Sequence, residues 1–367
     1  MTTVSLIVDR DHPDGPAVAA ALEGLAAALR PAGIEASVLL RTGLTAAEGP
    51  AAAITHLFGL PADAGSFLRG RSVAGSACVV SPLGEATTGP YRRVGWTARL
   101  ASVWRGSPLA RFAQCVVGVS PAEARALAEQ RVHPRIMMLP IGVDASACTP
   151  VYEARRGAQA ADGMRTLLDL RPIHPLEGPV ALLKAVADLG PAADGWRIVF
   201  AGPTMGDWRM QLEAGVRRKG AGDRVKFEPG ADVSVHRELL RSASLVVAPS
   251  LHHRGDTSLA TAAATGIPGV ATTATAPPLP ADALLTCAPR REDLSAALRE
   301  MLTASSADLA LRGEAARQAA VRLLDWSVLA PQYAALYHEL TQPPGAAGGA
   351  ISSGSRQAVA GASAMRN

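Results

Sequence analysis

From its amino terminus the chain runs as short apolar stretches, each closed by Gly, Pro or Ser, alternating with segments whose apolar positions recur at helical spacing. TVSLIVD (3–9) is the first β-rich run, and RDHPDGP breaks it. Residues 17–33 (AVAAALEGLAAALRPAG) then carry one apolar face at the period of an α-helix, closed by Pro31-Ala32-Gly33. EASVLL (35–40) is the next strand. This strand–helix–strand opening predicts a doubly wound parallel sheet. Further strands are expected in AAITHLFGL, SACVVSPLG, QCVVGVS and RIMMLPIGVD, the last ending at Asp144.

Beyond Asp144 the alternation stops in a polar, Gly-rich stretch, and a second α/β series begins. Its predicted strands are MRTLLDL, WRIVFAG, DRVKFEPG, LVVAPS and IPGVATT. Its predicted helices are GPVALLKAVADLG, WRMQLEAGVRRKG, HRELLRSAS and LATAAATG, followed by REDLSAALREMLT and DLALRGEAARQAAVRLL. SVLAPQYAALYHEL (327–340) forms a last helix after Trp326. The expected organisation is a first domain over 1–150, a linker over 151–165, a second domain over 166–325, a closing helix over 326–340 and a disordered Gly/Ala/Ser tail over 341–367. Two doubly wound domains imply a ligand in the cleft between them, since ligands sit at the carboxyl ends of parallel strands.

Composition narrows the classes. A length of 367 residues suits two cores, and 48% hydrophobic with 19% charged residues is ordinary for an α/β protein. The net charge is +4, carried almost wholly by Arg, and aromatics are only 4% of the chain. No basic cluster is interleaved with stacking aromatics, which argues against nucleic acid. The small positive charge permits peripheral contact with the inner face of an anionic membrane. No apolar run approaches the roughly 20 residues of a membrane span. Four scattered cysteines without a CxxC pair, and the lack of a signal peptide, predict reduced, mostly buried thiols in a cytoplasmic protein. Asp9-x-Asp11 after an apolar strand imitates a metal-binding pair, but it lies in the first strand rather than after a nucleotide-binding unit, so no metal is expected. No P-loop or Gly-x-Ser-x-Gly is present.

Several blocks resemble glycosyltransferase family 4. CVVGVSPAEARALAEQRVHPRIMMLPIGVDASACTP is similar to the end of that family's first domain. WRIVFAGP, DRVKFEPGADV, LLRSASLVVAPS and ATGIPGVATT look like successive blocks of its donor domain, and DWSVLAPQYAALY like its closing helix. The resemblance implies a GT-B fold: two Rossmann-like domains facing a central cleft. It also implies retaining transfer from a nucleotide-diphosphate sugar to a glycan or lipid-linked acceptor, with no cofactor and no essential metal. Cell-surface polysaccharide synthesis, and a partner glycosyltransferase, fit that class.

Family members usually carry two Glu eight positions apart in the segment matching APSLHHRGDTSLATAAATGIPGVATT (248–273). Counted from Pro249-Ser250 to Gly266-Ile267-Pro268, these fall on His253, where the resemblance implies a contact to the donor sugar, and on Thr261, where it implies one to the ribose. The resemblance therefore gives the catalytic positions to His253 and Asp256, the only carboxylate nearby. Donor contacts go to Arg171, Gly202, Ser250, Arg254, Gly255, Thr257 and Thr261. A pyrophosphate there would be held by backbone amides at the helix start and by Arg. Asp256 is also a good helix N-cap that would compete with phosphate for the same partial charge. Pro172 stands at the family's diphosphate Arg, with Arg171 one residue early, and Glu177 stands at its Lys, beside Gly178. On the acceptor side, Gly15 remains from a Gly-Gly loop, with His56, Gly84 and Glu85 as polar candidates. YRRVGWTARLASVWRGSPLARF (91–112) reads as a helix mixing Arg with aromatics. Two further readings stay open: a catalytically degraded partner module, and a nucleotide- or sugar-sensing binding protein.

Overall fold

The computed structural model describes residues 1–44, 52–86, 109, 111–150, 163–204, 206–218, 220–228, 233–251 and 257–342; the side chains of 233–235 and 237 are outside that description. The site residues expected at His253, Arg254, Gly255 and Asp256 lie outside the described residues, as do most of 91–112, residues 151–162 of the expected linker over 151–165, and residues 343–367 of the expected tail over 341–367.

The first lobe is built on six strands: β1 (Thr2–Asp9), β2 (Ile34–Arg41), β3 (Ile54–Phe58), β4 (Ala77–Ser81), β5 (Cys115–Gly118) and β6 (Ile136–Met138). They pair in parallel in the order β2-β1-β3-β4-β5-β6. Helices α1 (Gly15–Leu29), α2 (Ala64–Val73) and α3 (Pro121–Glu129) cover the sheet. Both faces are dry, so β1 is apolar at successive positions: Val4, Leu6 and Val8 enter one core and Ile7 the other. The expected long strand through LPIGVD is only Ile136–Met138, because Pro140 and Gly142 withdraw the chain from the ladder.

The second lobe carries β7 (Arg165–Asp169), β8 (Trp196–Phe200), β9 (Val225–Phe227), β10 (Leu245–Ala248), β11 (Gly269–Thr272) and β12 (Leu284–Cys287). Their order is β12-β11-β10-β7-β8-β9, again parallel wherever paired. This is the strand order of a dinucleotide-binding sheet, with its reversal between β7 and β10. The helices are α4 (Pro179–Ala187), α5 (Trp208–Arg218), α6 (Val233–Ser242), α7 (Thr257–Ala264), α8 (Arg291–Thr303) and α9 (Ser306–Leu323).

The closing helix α10 (Trp326–Thr341) returns to the first lobe, where Trp326, Leu329, Tyr333 and Tyr337 join Leu22 and Leu25 of α1 in one core. The two crossovers between lobes are bonded to each other. Val143 N donates to Leu324 O at 2.9 Å, and Trp326 N donates to Val143 O at 3.1 Å. Trp326 wedges this junction: a Cβ on Gly24 or Gly142 would lie 2.5 or 2.7 Å from Trp326 or the Leu324 carbonyl beside it.

Candidate nucleotide cleft

In each sheet the strand order reverses beside the first strand, and the loops leaving those points face each other across the lobes. In the second lobe the crevice is made by the loops after β7 and β10. Asp169 ends β7, fully buried, and its Oδ1 accepts from Arg171 N at 2.9 Å, which turns the chain. A Cβ on Gly202 would stand 1.7 Å from Arg171 O, so the loop after β8 passes here only as glycine. The chain then makes a 3-10 turn over Pro175–Glu177, closed by Gly178 at φ +80°, where any Cβ would meet Pro249 O at 2.1 Å.

This close approach puts Glu177 under the end of β10. Arg171 donates to Glu177 Oε2 from Nε at 3.2 Å and from Nη2 at 2.9 Å, and Ser250 Oγ donates to the same oxygen. All three side chains are buried. The resemblance matches Glu177 to a Lys that clamps the family's diphosphate. Glu177 turns inward instead, and the buried carboxylate exists because a cation and a hydroxyl meet it. The same geometry changes the reading of two donor candidates. Arg171 reaches the cleft wall, but with its charge already opposed by Glu177, and the Ser250 hydroxyl is spent on that carboxylate.

The opposite wall belongs to α1. Gly15 permits its entry, since a Cβ there would lie 2.2 Å from Asp9 O; its role is close backbone approach. Asp14 occupies the N-cap without a side-chain capping bond, and its Oδ2 lies 3.7 Å from Arg171 Nη2 of the other lobe. Between the walls is a cavity of about 580 Å³. Ala17, Ala20, Ala21 and Gly24 of α1 line one side, and Arg171, Leu240, Thr257 and Thr261 the other. Thr257 and Thr261, expected as donor contacts, line this cavity, and Thr261 Oγ1 donates its proton to Thr257 O at 2.8 Å.

The acceptor-side candidates separate. His56 lies in the middle of β3 and is fully buried. Its Nδ1 bonds Tyr337 Oη at 2.8 Å, its Nε2 bonds Ser81 Oγ at 2.9 Å, and its ring stacks on Phe58. Burial pulls its pKa down to about 3, so the ring is neutral. It anchors α10 to the sheet and has no surface to offer an acceptor. Gly84, at φ +87°, donates its amide to Glu123 Oε1 at 2.5 Å, which ties this loop to α3. Glu85 accepts from Leu60 N beside Gly59, close to Asp9. Asp9 Oδ1 accepts from Asp11 N at 3.0 Å, and burial raises its pKa, helped by the charges of Asp11 and Asp63. That pair forms a turn. Among the cysteines, Cys78 and Cys115 are buried, whereas Cys148 and Cys287 are half-buried; all four are unbridged.

Residues 170–304 match the family model described as Glycosyl transferases group 1. No curated protein matches the chain in sequence. Among solved structures, the chain is similar to a sucrose-phosphate synthase from Thermosynechococcus elongatus, with TM-score 0.74, 18% identity and coverage of 93% of this chain and 99% of that one. It is similar to Anabaena HepE in complex with UDP-glucose, with TM-score 0.69, 15% identity, and 92% and 100% covered. A UDP-forming trehalose-phosphate synthase from Burkholderia vietnamiensis gives TM-score 0.58 at 13% identity, with 78% and 72% covered. The fold is GT-B.

Proposed function

We propose that this protein is a glycosyltransferase that moves a sugar from a nucleotide-diphosphate sugar to a glycan or lipid-linked acceptor, with retention. The observation that carries the reading is the crevice at the β7/β10 reversal, walled by Arg171, Thr257 and Thr261 from the segment matching the group 1 family and closed by α1 of the first lobe. HepE, similar in fold, is solved with UDP-glucose, which supports a uridine or related donor. The leaving diphosphate is the largest charge in such a reaction, and its stabilisation is the main catalytic term. Arg171 supplies one cation. Arg254 and the amides from Gly255 onward are proposed to supply the rest, with His253 or Asp256 addressing the sugar. No helix among the described residues is long and apolar enough to cross a membrane. We place the protein in the cytoplasm, with peripheral access to a membrane-borne acceptor and a role in cell-surface polysaccharide synthesis.

A second reading has its own observation. Glu177, itself held by Ser250, opposes the charge of the guanidinium that would grip the diphosphate, which favours a degraded transferase kept as a binding or partner module. Release of nucleoside diphosphate from a panel of UDP- and GDP-sugars separates the two. Turnover, with or without an added acceptor, supports transfer. Tight binding of a donor without turnover supports the module.

A further inference from the structure

We propose that Asp14 sets donor affinity as a cross-cleft competitor: its carboxylate holds Arg171 from the opposite lobe, and an anionic ligand must displace it. The inference rests on the donor reading for its ligand, but not for the latch itself. Arg171 belongs to the second lobe and Asp14 to the first, and their charged atoms lie 3.7 Å apart with both side chains largely withdrawn from solvent. At that separation the attraction is weakly screened. The approach is longer than a hydrogen bond, so it is a contact that can be exchanged rather than a locked one.

The surroundings fit exchange. Glu177, from the same lobe as Arg171, accepts from Nε and Nη2 of the guanidinium, a contact that needs nothing from the first lobe. Asp14 approaches only by virtue of α1 being docked. The α1 wall beside it offers alanine and glycine, with no other side-chain charge between Asp14 and Gly24 except Glu23. An incoming diphosphate therefore meets Arg171 already balanced by two carboxylates, and gains its cation by pushing Asp14 and α1 away. In a chain with a neutral residue here, the same anion would meet only Glu177 as a competitor.

The test is Asp14→Asn in the full chain. Asn is as good an N-cap as Asp, and Asp14 makes no side-chain capping bond, so the helix start is preserved. Titration calorimetry with UDP and with inorganic pyrophosphate is expected to show about fivefold or more tighter binding to the variant, within the range of ordinary coupling between sites. Unchanged or weaker binding by a folded variant would overturn the latch while leaving the donor reading in place. Should neither protein bind either anion at millimolar concentration, the donor reading fails, and hydrogen exchange of the free proteins decides the latch. Faster exchange in the first turns of α1 and in residues 171–178 of the variant supports it; superimposable exchange overturns it.

Discussion

His56 was a candidate for an acceptor hydroxyl, and the structure makes it a core residue instead, so replacing it should cost stability with a particular pH signature. His56→Leu removes both ring nitrogens and strands the hydroxyls of Tyr337 and Ser81 in a dry core. Each stranded group costs about 1–3 kcal/mol, so the variant should lose roughly 2–6 kcal/mol at pH 8. That is a large share of a typical total of about 5–15 kcal/mol. The sign of the pH effect follows from the lowered pKa. The unfolded chain binds a proton at His56 near the ordinary value of 6.5, whereas the native ring resists until about 3. Stability from this group is therefore complete above about pH 6.5 and drains as pH falls toward 3, by up to about 1.4 kcal/mol per pH unit. Between pH 8 and pH 5 the wild type should lose about 2 kcal/mol through His56, and the Leu variant should lose none through that site. Urea denaturation of both proteins at the two pH values, followed by far-UV circular dichroism, measures the gap. It should narrow by about 2 kcal/mol at pH 5. A gap that stays constant, in a variant as stable as the parent, would return the ring to the surface and reopen its acceptor role.

Two other substitutions probe the cleft. Gly202→Ala puts a methyl 1.7 Å from Arg171 O and should destabilise the second lobe by about 3 kcal/mol or more, read as a lowered urea midpoint; near-native stability would contradict the close passage. Thr261→Glu restores a carboxylate on the cleft wall where the resemblance places a ribose ligand, and should tighten UDP about tenfold through charge-assisted bonds. Unchanged or weakened affinity would remove ribose from that wall.

Much of the scaffold was legible because parallel strands buried on both faces are continuous apolar runs, and TVSLIVD, WRIVFAG and LVVAPS each became one. What escaped was marginal in pattern. The strand Leu284–Cys287 is four residues long and half-exposed at the sheet edge, and the helix Ala64–Val73 mixes Arg, Ser and Gly with few apolar positions. The first helix begins at Gly15 rather than residue 17, because Pro16 suits a first helical turn, and a 3-10 turn follows it from Arg30. For the candidate cleft, the resemblance pointed to Arg171, Glu177, Ser250 and Thr261 but not to what they touch. Whether Glu177 faces a ligand or an internal arginine depends on the turn between them, and that turn is set by Gly178 and Gly202 against backbone from distant strands. The Asp14 contact had no sequence signal, since its partner lies across the cleft in the other lobe.

The most direct test of the central claim is calorimetric titration of the wild-type chain with UDP and GDP, alone and as their sugars. Saturable binding of at least one, at a Kd below a millimolar and weakened by inorganic pyrophosphate, is the predicted result. Absence of binding by every one of them at millimolar concentration would contradict a nucleotide-diphosphate cleft between the lobes.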